Sequence, residues 1–307
     1  MSLMSFAIVV PCLLNILQNA PPSPPQPNRL SRALGADPVQ AADIKPKCTS
    51  GFVVWSMSPL SGLEVERLAI ARQSFSDLTG YRLDRKGVIW VARDIHHYRV
   101  MLHHLDPGGD WLKGSAGVNE GKHYIEGDII IVMGGFPNRS PSPDASFLAS
   151  VLTHEATHHF ITQALGVEVS KQIALHNQLF DEGLAEYIKL AILPVDEWEA
   201  WHRAYLPVVE RLLAEQPTTE GYHAAADEVK PDLYEHGYAI LSTAMMFEED
   251  EVRRILRQMI ASRDDAQEVV RLSLQINAMA THERLTAWTK HVRRQLDAAE
   301  RDVSTDD

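Results

Sequence analysis

Ten residues constrain this chain more than any others: Val151-Leu152-Thr153-His154-Glu155-Ala156-Thr157-His158-His159-Phe160. The run is apolar enough to predict a helix, and on a helix residues four apart lie one above the other on the same face. His154 and His158 therefore aim two imidazoles at one point, and Glu155 stands about a third of a turn away, beside it. A metal ion bound there would have a carboxylate next to its remaining coordination position.

Catalytic zinc takes three protein ligands and leaves one position to water, so a third donor has to come from elsewhere. Asp181-Glu182-Gly183-Leu184-Ala185-Glu186-Tyr187 is the obvious supplier. The connection between His158 and Glu182 is long enough for the first helix to finish, turn near Gly166 and return as a second helix whose Glu182 faces the metal. Glu186, four positions on, shares that face. There its carboxylate would accept the outer N–H of a ligating histidine, the contact that fixes ring orientation and tautomer.

The HExxH run followed by this Asp-Glu-Gly-Leu-Ala-Glu-Tyr stretch resembles the gluzincin metallopeptidases, the superfamily that includes the thermolysin-like and aminopeptidase N families, and most resembles its small bacterial members. The resemblance covers roughly the middle third of the chain. It implies one Zn2+ per chain, with His154, His158 and Glu182 as ligands and Glu155 as general base. Leu233-Tyr234-Glu235-His236-Gly237-Tyr238 is similar to the Tyr-x-x-Gly helix on which aminopeptidase N relatives carry the phenol that stabilises the tetrahedral intermediate. Tyr234 is the matching residue, with His236 and Tyr238 as alternates. The connection from His158 to Glu182 is longer than in the aminopeptidases. Their Gly-Ala-Met-Glu-Asn element, which holds a free amine, is also absent; the nearest stretch is residues 114–120, and aminopeptidase activity is not implied.

Other features narrow the class. A net charge of −12 argues against nucleic acid as a partner, since phosphates need a basic surface. With two cysteines, Cys12 and Cys48, neither a disulfide scaffold nor a cysteine zinc site can be assembled. Residues 3–17 form an apolar run before the proline-rich 21–27, a layout that suggests an export signal or anchor and a stiff linker. No Lys or Arg precedes the run and Pro11 interrupts it, so a cytoplasmic chain whose N-terminal segment is packed against the domain or simply disordered is the alternative. Membrane association would come only through that segment.

The expected organisation is a possible signal or anchor at 1–20, a linker at 21–47, an α/β subdomain at 48–192, a helical subdomain at 193–300 and a tail at 301–307. The fold class is α+β: a small mixed sheet packed on the HExxH helix, followed by a helical C-terminal half. Strands are expected at Phe52–Trp55, Gly87–Ala92 and Asp128–Val132, with a helix from Leu63 to Leu78 ending at Gly80. Later helices start at Pro194 and after Pro231, and others span Val252–Ile260, Ala266–Ile276 and Arg284–Leu296; Trp198, Trp201 and Tyr205 read as core aromatics. His96-His97, His103-His104, His159 and His176 have no carboxylate at ligand spacing and read as surface or core-edge histidines.

Together these features predict a zinc-dependent peptidase, most simply an endopeptidase, acting on a peptide or protein substrate. The resemblance further implies that an edge strand of the sheet pairs with extended substrate, a general way of gripping a peptide backbone. Two other readings use the same residues: an inactive gluzincin-fold binding protein, and a zinc hydrolase of a non-peptide bond. Glu155 favours catalysis, because a structural zinc needs no base and fills its fourth position with protein.

Overall fold

The computed structural model describes residues 45–56, 60–92, 98–99, 121–125, 129–133, 145–229 and 232–303. The proline-rich stretch, both histidine doublets and residues 114–120 lie outside them. Two units are distinguished: Met1–Ala69 with Asp84–His159, and Ile70–Leu83 with Phe160–Asp307.

The first unit contains a five-stranded sheet: β1 (Lys45–Thr49), β2 (Phe52–Ser56), β3 (Gly87–Ala92), β4 (Gly121–Tyr124) and β5 (Ile129–Met133), in the order β1-β2-β3-β5-β4. β1 and β2 are antiparallel and joined through Ser50 and Gly51, both at positive φ (44° and 83°), which a two-residue hairpin with the twist of its strands requires. β2, β3 and β5 run parallel, and the crossover from β2 to β3 passes through helix α1 (Gly62–Thr79). Strands covered on both faces read as unbroken apolar runs, and Val88-Ile89-Trp90 and Ile129-Ile130-Ile131-Val132 are buried throughout. β4 pairs antiparallel with β5 and is an edge of this sheet. The N-terminal part of α1 is tied to helix α2 (Ala145–Leu165) where Arg67 donates to the Ser150 hydroxyl at 3.2 Å.

The second unit is helical. Gly166, at φ 89°, ends α2; α3 (Val167–His176) and α4 (Gln178–Ala191) follow. The sequence predicted one returning helix where there are two. The break falls at Asn177, whose side-chain carbonyl oxygen caps α4 by accepting from the Phe180 N–H (3.3 Å). The same side chain donates to Ser273 (2.9 Å) and accepts from Asn277 (2.7 Å), so a buried amide is satisfied against α8 (Ala266–Ala278). Between them come α5 (Val195–Glu215), α6 (Thr219–Glu228) and α7 (Leu233–Ala261), and α9 (His282–Val303) closes the unit.

α7 joins what the sequence read as two segments, with a kink at Glu248 (φ −141°, ψ 40°) where Arg284 bonds its carboxylate. α7 crosses α4 backbone to backbone: a Cβ on Gly237 would lie 2.7 Å from the Leu179 carbonyl oxygen, and one on Gly183 would overlap the Gly237 carbonyl. The core around that crossing includes Leu179 and Leu190 of α4, Tyr205 and Val209 of α5, Tyr238 and Ile240 of α7, and Leu285, Trp288 and Val292 of α9. Trp198 and Trp201 pack against it half-buried, as core-edge aromatics. Among the described residues no helix is long and apolar enough to cross a membrane.

Candidate metal centre

α2 presents two stripes. Val151, Glu155 and His159, spaced by four, face the sheet. A Cβ on Gly121 would stand 2.6 Å from Val151 Cγ1 and 2.9 Å from Glu155 Cγ, so only a glycine lets edge strand β4 pass this close to the helix. His159 fills the equivalent space over β3, where a Cβ on Gly87 would meet its Nε2 at 2.5 Å, and its ring packs 5.3 Å from Phe52. His159 is thus deeper than a core-edge position: a helix laid over the sheet buries every fourth residue. His176, at the end of α3, is exposed.

His154 and His158 form the neighbouring stripe. Their Nε2 atoms are 3.1 Å apart. Two nitrogens sharing a tetrahedral zinc at 2.0–2.1 Å stand about 3.3 Å from one another, so this spacing suits a shared ion. Glu182, in the second turn of α4, joins them: one ligand atom from each of His154, His158 and Glu182 lies within 4.8 Å of the others. Among the described residues this is the one group of three such donors close enough to hold a metal ion. Two imidazoles and a carboxylate are a ligand set that zinc accepts, with a position left over.

Behind Glu182 on the same helix, Glu186 is 3% exposed and accepts from the Lys189 ammonium (2.9 Å at Oε1, 2.6 Å at Oε2) and from the Tyr205 hydroxyl (2.9 Å). The sequence marked Tyr205 only as a core aromatic and did not mark Lys189 at all. An i, i+3 Glu–Lys pair ordinarily reads as a solvated helix face, and only the burial reveals otherwise.

The first turns of α7 carry three candidate oxyanion donors, and they differ. His236 is buried and its Nδ1 pairs with the Tyr222 hydroxyl at 2.9 Å. Tyr238 is buried too, paired with His202 Nε2 at 2.7 Å. His202 Nδ1 stands 2.7 Å from the Trp198 carbonyl, which only accepts, so Nδ1 bears the proton and Tyr238 donates to Nε2. Tyr234 is half-buried. Both alternates are buried in the helical core, and Tyr234 is the most exposed of the three.

Burial lowers His202 and His236 from 6.5 to about 4. At His202 the Trp198 carbonyl opposes the shift; at His236 the Asp232 carboxylate opposes it and Arg211 reinforces it. The folded-state values are depressed, so between pH 6.5 and about 4 the unfolded chain binds the extra protons and stability falls as pH falls. Each histidine contributes on the order of 3 kcal/mol that is complete above pH 6.5 and gone near pH 4, at 1.36 kcal/mol per pH unit. Melting followed by circular dichroism from pH 7.5 to 4 should show this loss. A His202→Gln variant should show a shallower dependence, and a wild-type Tm flat across that window would contradict the assignment.

Residues 95–244, just under half of the chain, match the model of a family described as "Predicted Zn-dependent protease (DUF2268)". The matched segment holds every candidate site residue. No curated protein matches the chain.

Proposed function

We propose that the protein is a zinc metallopeptidase, with His154, His158 and Glu182 holding one Zn2+, Glu155 as general base and Glu186 supporting the ligand set. The observation that carries this reading is the convergence of the three donors within 4.8 Å, out of two motifs far apart in sequence; the match to a family of predicted zinc proteases supports it. When bound, zinc lowers the pKa of water from about 15.7 to about 7 and polarises a carbonyl. Glu155 takes the proton of the attacking water and delivers it to the leaving amine, which requires a carboxylate beside the ligand stripe and not on it. Its place one residue after His154 provides that. Tyr234 donates to the oxyanion as the tetrahedral intermediate forms, a contact made in the transition state more than in the bound substrate.

The position of β4 supports a peptide as the substrate. Gly121 brings this edge strand against Glu155, so a peptide added to the edge as a further strand would pass its carbonyls close to the general base. Nothing in that geometry demands a free terminus, and endopeptidase cleavage is the simplest outcome.

Metal content tests the ligand set. A His158→Ala protein, folded by circular dichroism, should lose stoichiometric zinc as measured by atomic emission, whereas the wild type holds one per chain. Full retention of zinc by that variant would refute the ligand assignment.

A further inference from the structure

We propose that Lys189, with Tyr205, is a positioning residue for the candidate metal centre: it fixes the Glu186 carboxylate, one helical turn beyond Glu182, as the polar support of the ligand set. The inference rests on the zinc reading above.

Glu182, Glu186 and Lys189 occupy positions i, i+4 and i+7 of α4 and so form one stripe. Glu186 and Lys189 are 3% and 4% exposed, and charged side chains are almost never buried this far unless paired. The pair is closed from several sides. The ammonium spans both carboxylate oxygens, lies 3.5 Å from the Tyr205 hydroxyl and sits 3.8 Å over the face of Trp201. The Tyr205 hydroxyl gives Glu186 a second donor at 2.9 Å. An ionised carboxylate accepts about four hydrogen bonds, and these two donors hold it in place from the Lys189 and Tyr205 sides.

Stability alone does not account for this arrangement. Apolar residues of similar volume commonly serve a helical core as well as a buried ion pair does, and Glu186 and Lys189 share their helix with Leu179 and Leu190 of the apolar core. What apolar residues cannot supply is a fixed negative charge one turn from Glu182. Glu235, on the first turn of α7, feels the same pair: burial raises its carboxyl, the Asp232 and Glu186 charges raise it further, and Lys189 lowers it. Two carboxylates thus compete for one ammonium, and the close contact goes to Glu186.

The test uses the full chain and zinc alone, with affinity measured by chelator competition and apo-protein stability by thermal melting. Lys189→Met should lower the Tm and weaken zinc binding about tenfold or more, the range seen when support of a ligand is lost. The double variant Lys189→Met/Glu186→Gln removes both charges together. It should recover most of the Tm yet still bind zinc about tenfold more weakly. A double variant with wild-type zinc affinity would overturn the proposal and make the pair purely structural. Should the double variant fail to fold, Tyr205→Phe decides, since it removes one donor to Glu186 and no charge: a several-fold loss of zinc affinity supports the role, and unchanged affinity overturns it. Zinc retained by His158→Ala would instead sink the zinc reading itself, a separate result from failure of the Lys189 variants.

Discussion

Glu155→Gln should leave zinc content and fold unchanged while kcat on a cleavable peptide falls by about 10²- to 10⁴-fold, the usual share of general acid–base catalysis. Glutamine matches glutamate in size, so the stripe made by Val151, the substituted side chain and His159 would still pack against Gly121 and Gly87 as in the wild type. The amide has no basic oxygen to take a proton from water at neutral pH. The loss corresponds to about 3–5 kcal/mol of barrier, at 1.36 kcal/mol per tenfold. KM should move little, because the proton transfer belongs to the transition state. A peptide library supplies the substrate, with wild type and variant compared at equal zinc loading. A variant that cleaves as fast as the wild type would remove Glu155 from the chemistry.

Gly183→Ala and Gly237→Ala should each destabilise the helical unit by about 3 kcal/mol or more, at the upper end of what overpacking costs. The sign is the informative part. In an open helix position Gly→Ala stabilises by roughly 0.5–1 kcal/mol through reduced backbone entropy. Here a methyl on either residue meets backbone of the opposite helix: Gly237 O for Gly183, Leu179 O for Gly237. Carbonyls inside helices cannot rotate away, so α4 and α7 would have to part and open the core that they share with Tyr205, Tyr238 and Trp288. Thermal or urea unfolding of apo protein measures it, and a variant melting at or above the wild type would show that the crossing has slack. Gly183 follows Glu182 and Gly237 lies three residues after Tyr234, so the same closeness sets where those two side chains begin.

The sequence revealed most where chemistry and periodicity coincide. HExxH named two candidate ligands and a candidate base without help from amphipathicity, which would have failed: α2 is buried on nearly every side, and even Thr153 and Thr157 are fully buried, bonding back to the carbonyls of Ala149 and Thr153 at 2.8 and 2.9 Å. A helix with no wet face has no polar stripe to read. The β-branched runs of β2, β3 and β5 were legible as strands. β1 and β4 were not, because Lys-Pro-Lys-Cys-Thr and Gly-Lys-His-Tyr carry the polar residues of sheet edges. The break at Asn177 was hidden because its cause lies about a hundred residues downstream, in Ser273 and Asn277. The glycines of Glu182-Gly183 and Tyr234-x-x-Gly237 stood in the quoted motifs, but that they face each other only the packing discloses.

The placement of α9 has a consequence in time. Leu285, Trp288, Val292 and Leu296 belong to the same core as Leu179 of the Glu182 helix and Tyr238 of the Tyr234 helix. A ribosome makes them last among these elements, more than a hundred residues after Glu182. During synthesis domains fold as units, so every donor of the candidate centre has been polymerised while the helix that completes its supporting core is still to come. The candidate ligands are thus all polymerised before the helix that completes the core around Leu179 and Tyr238.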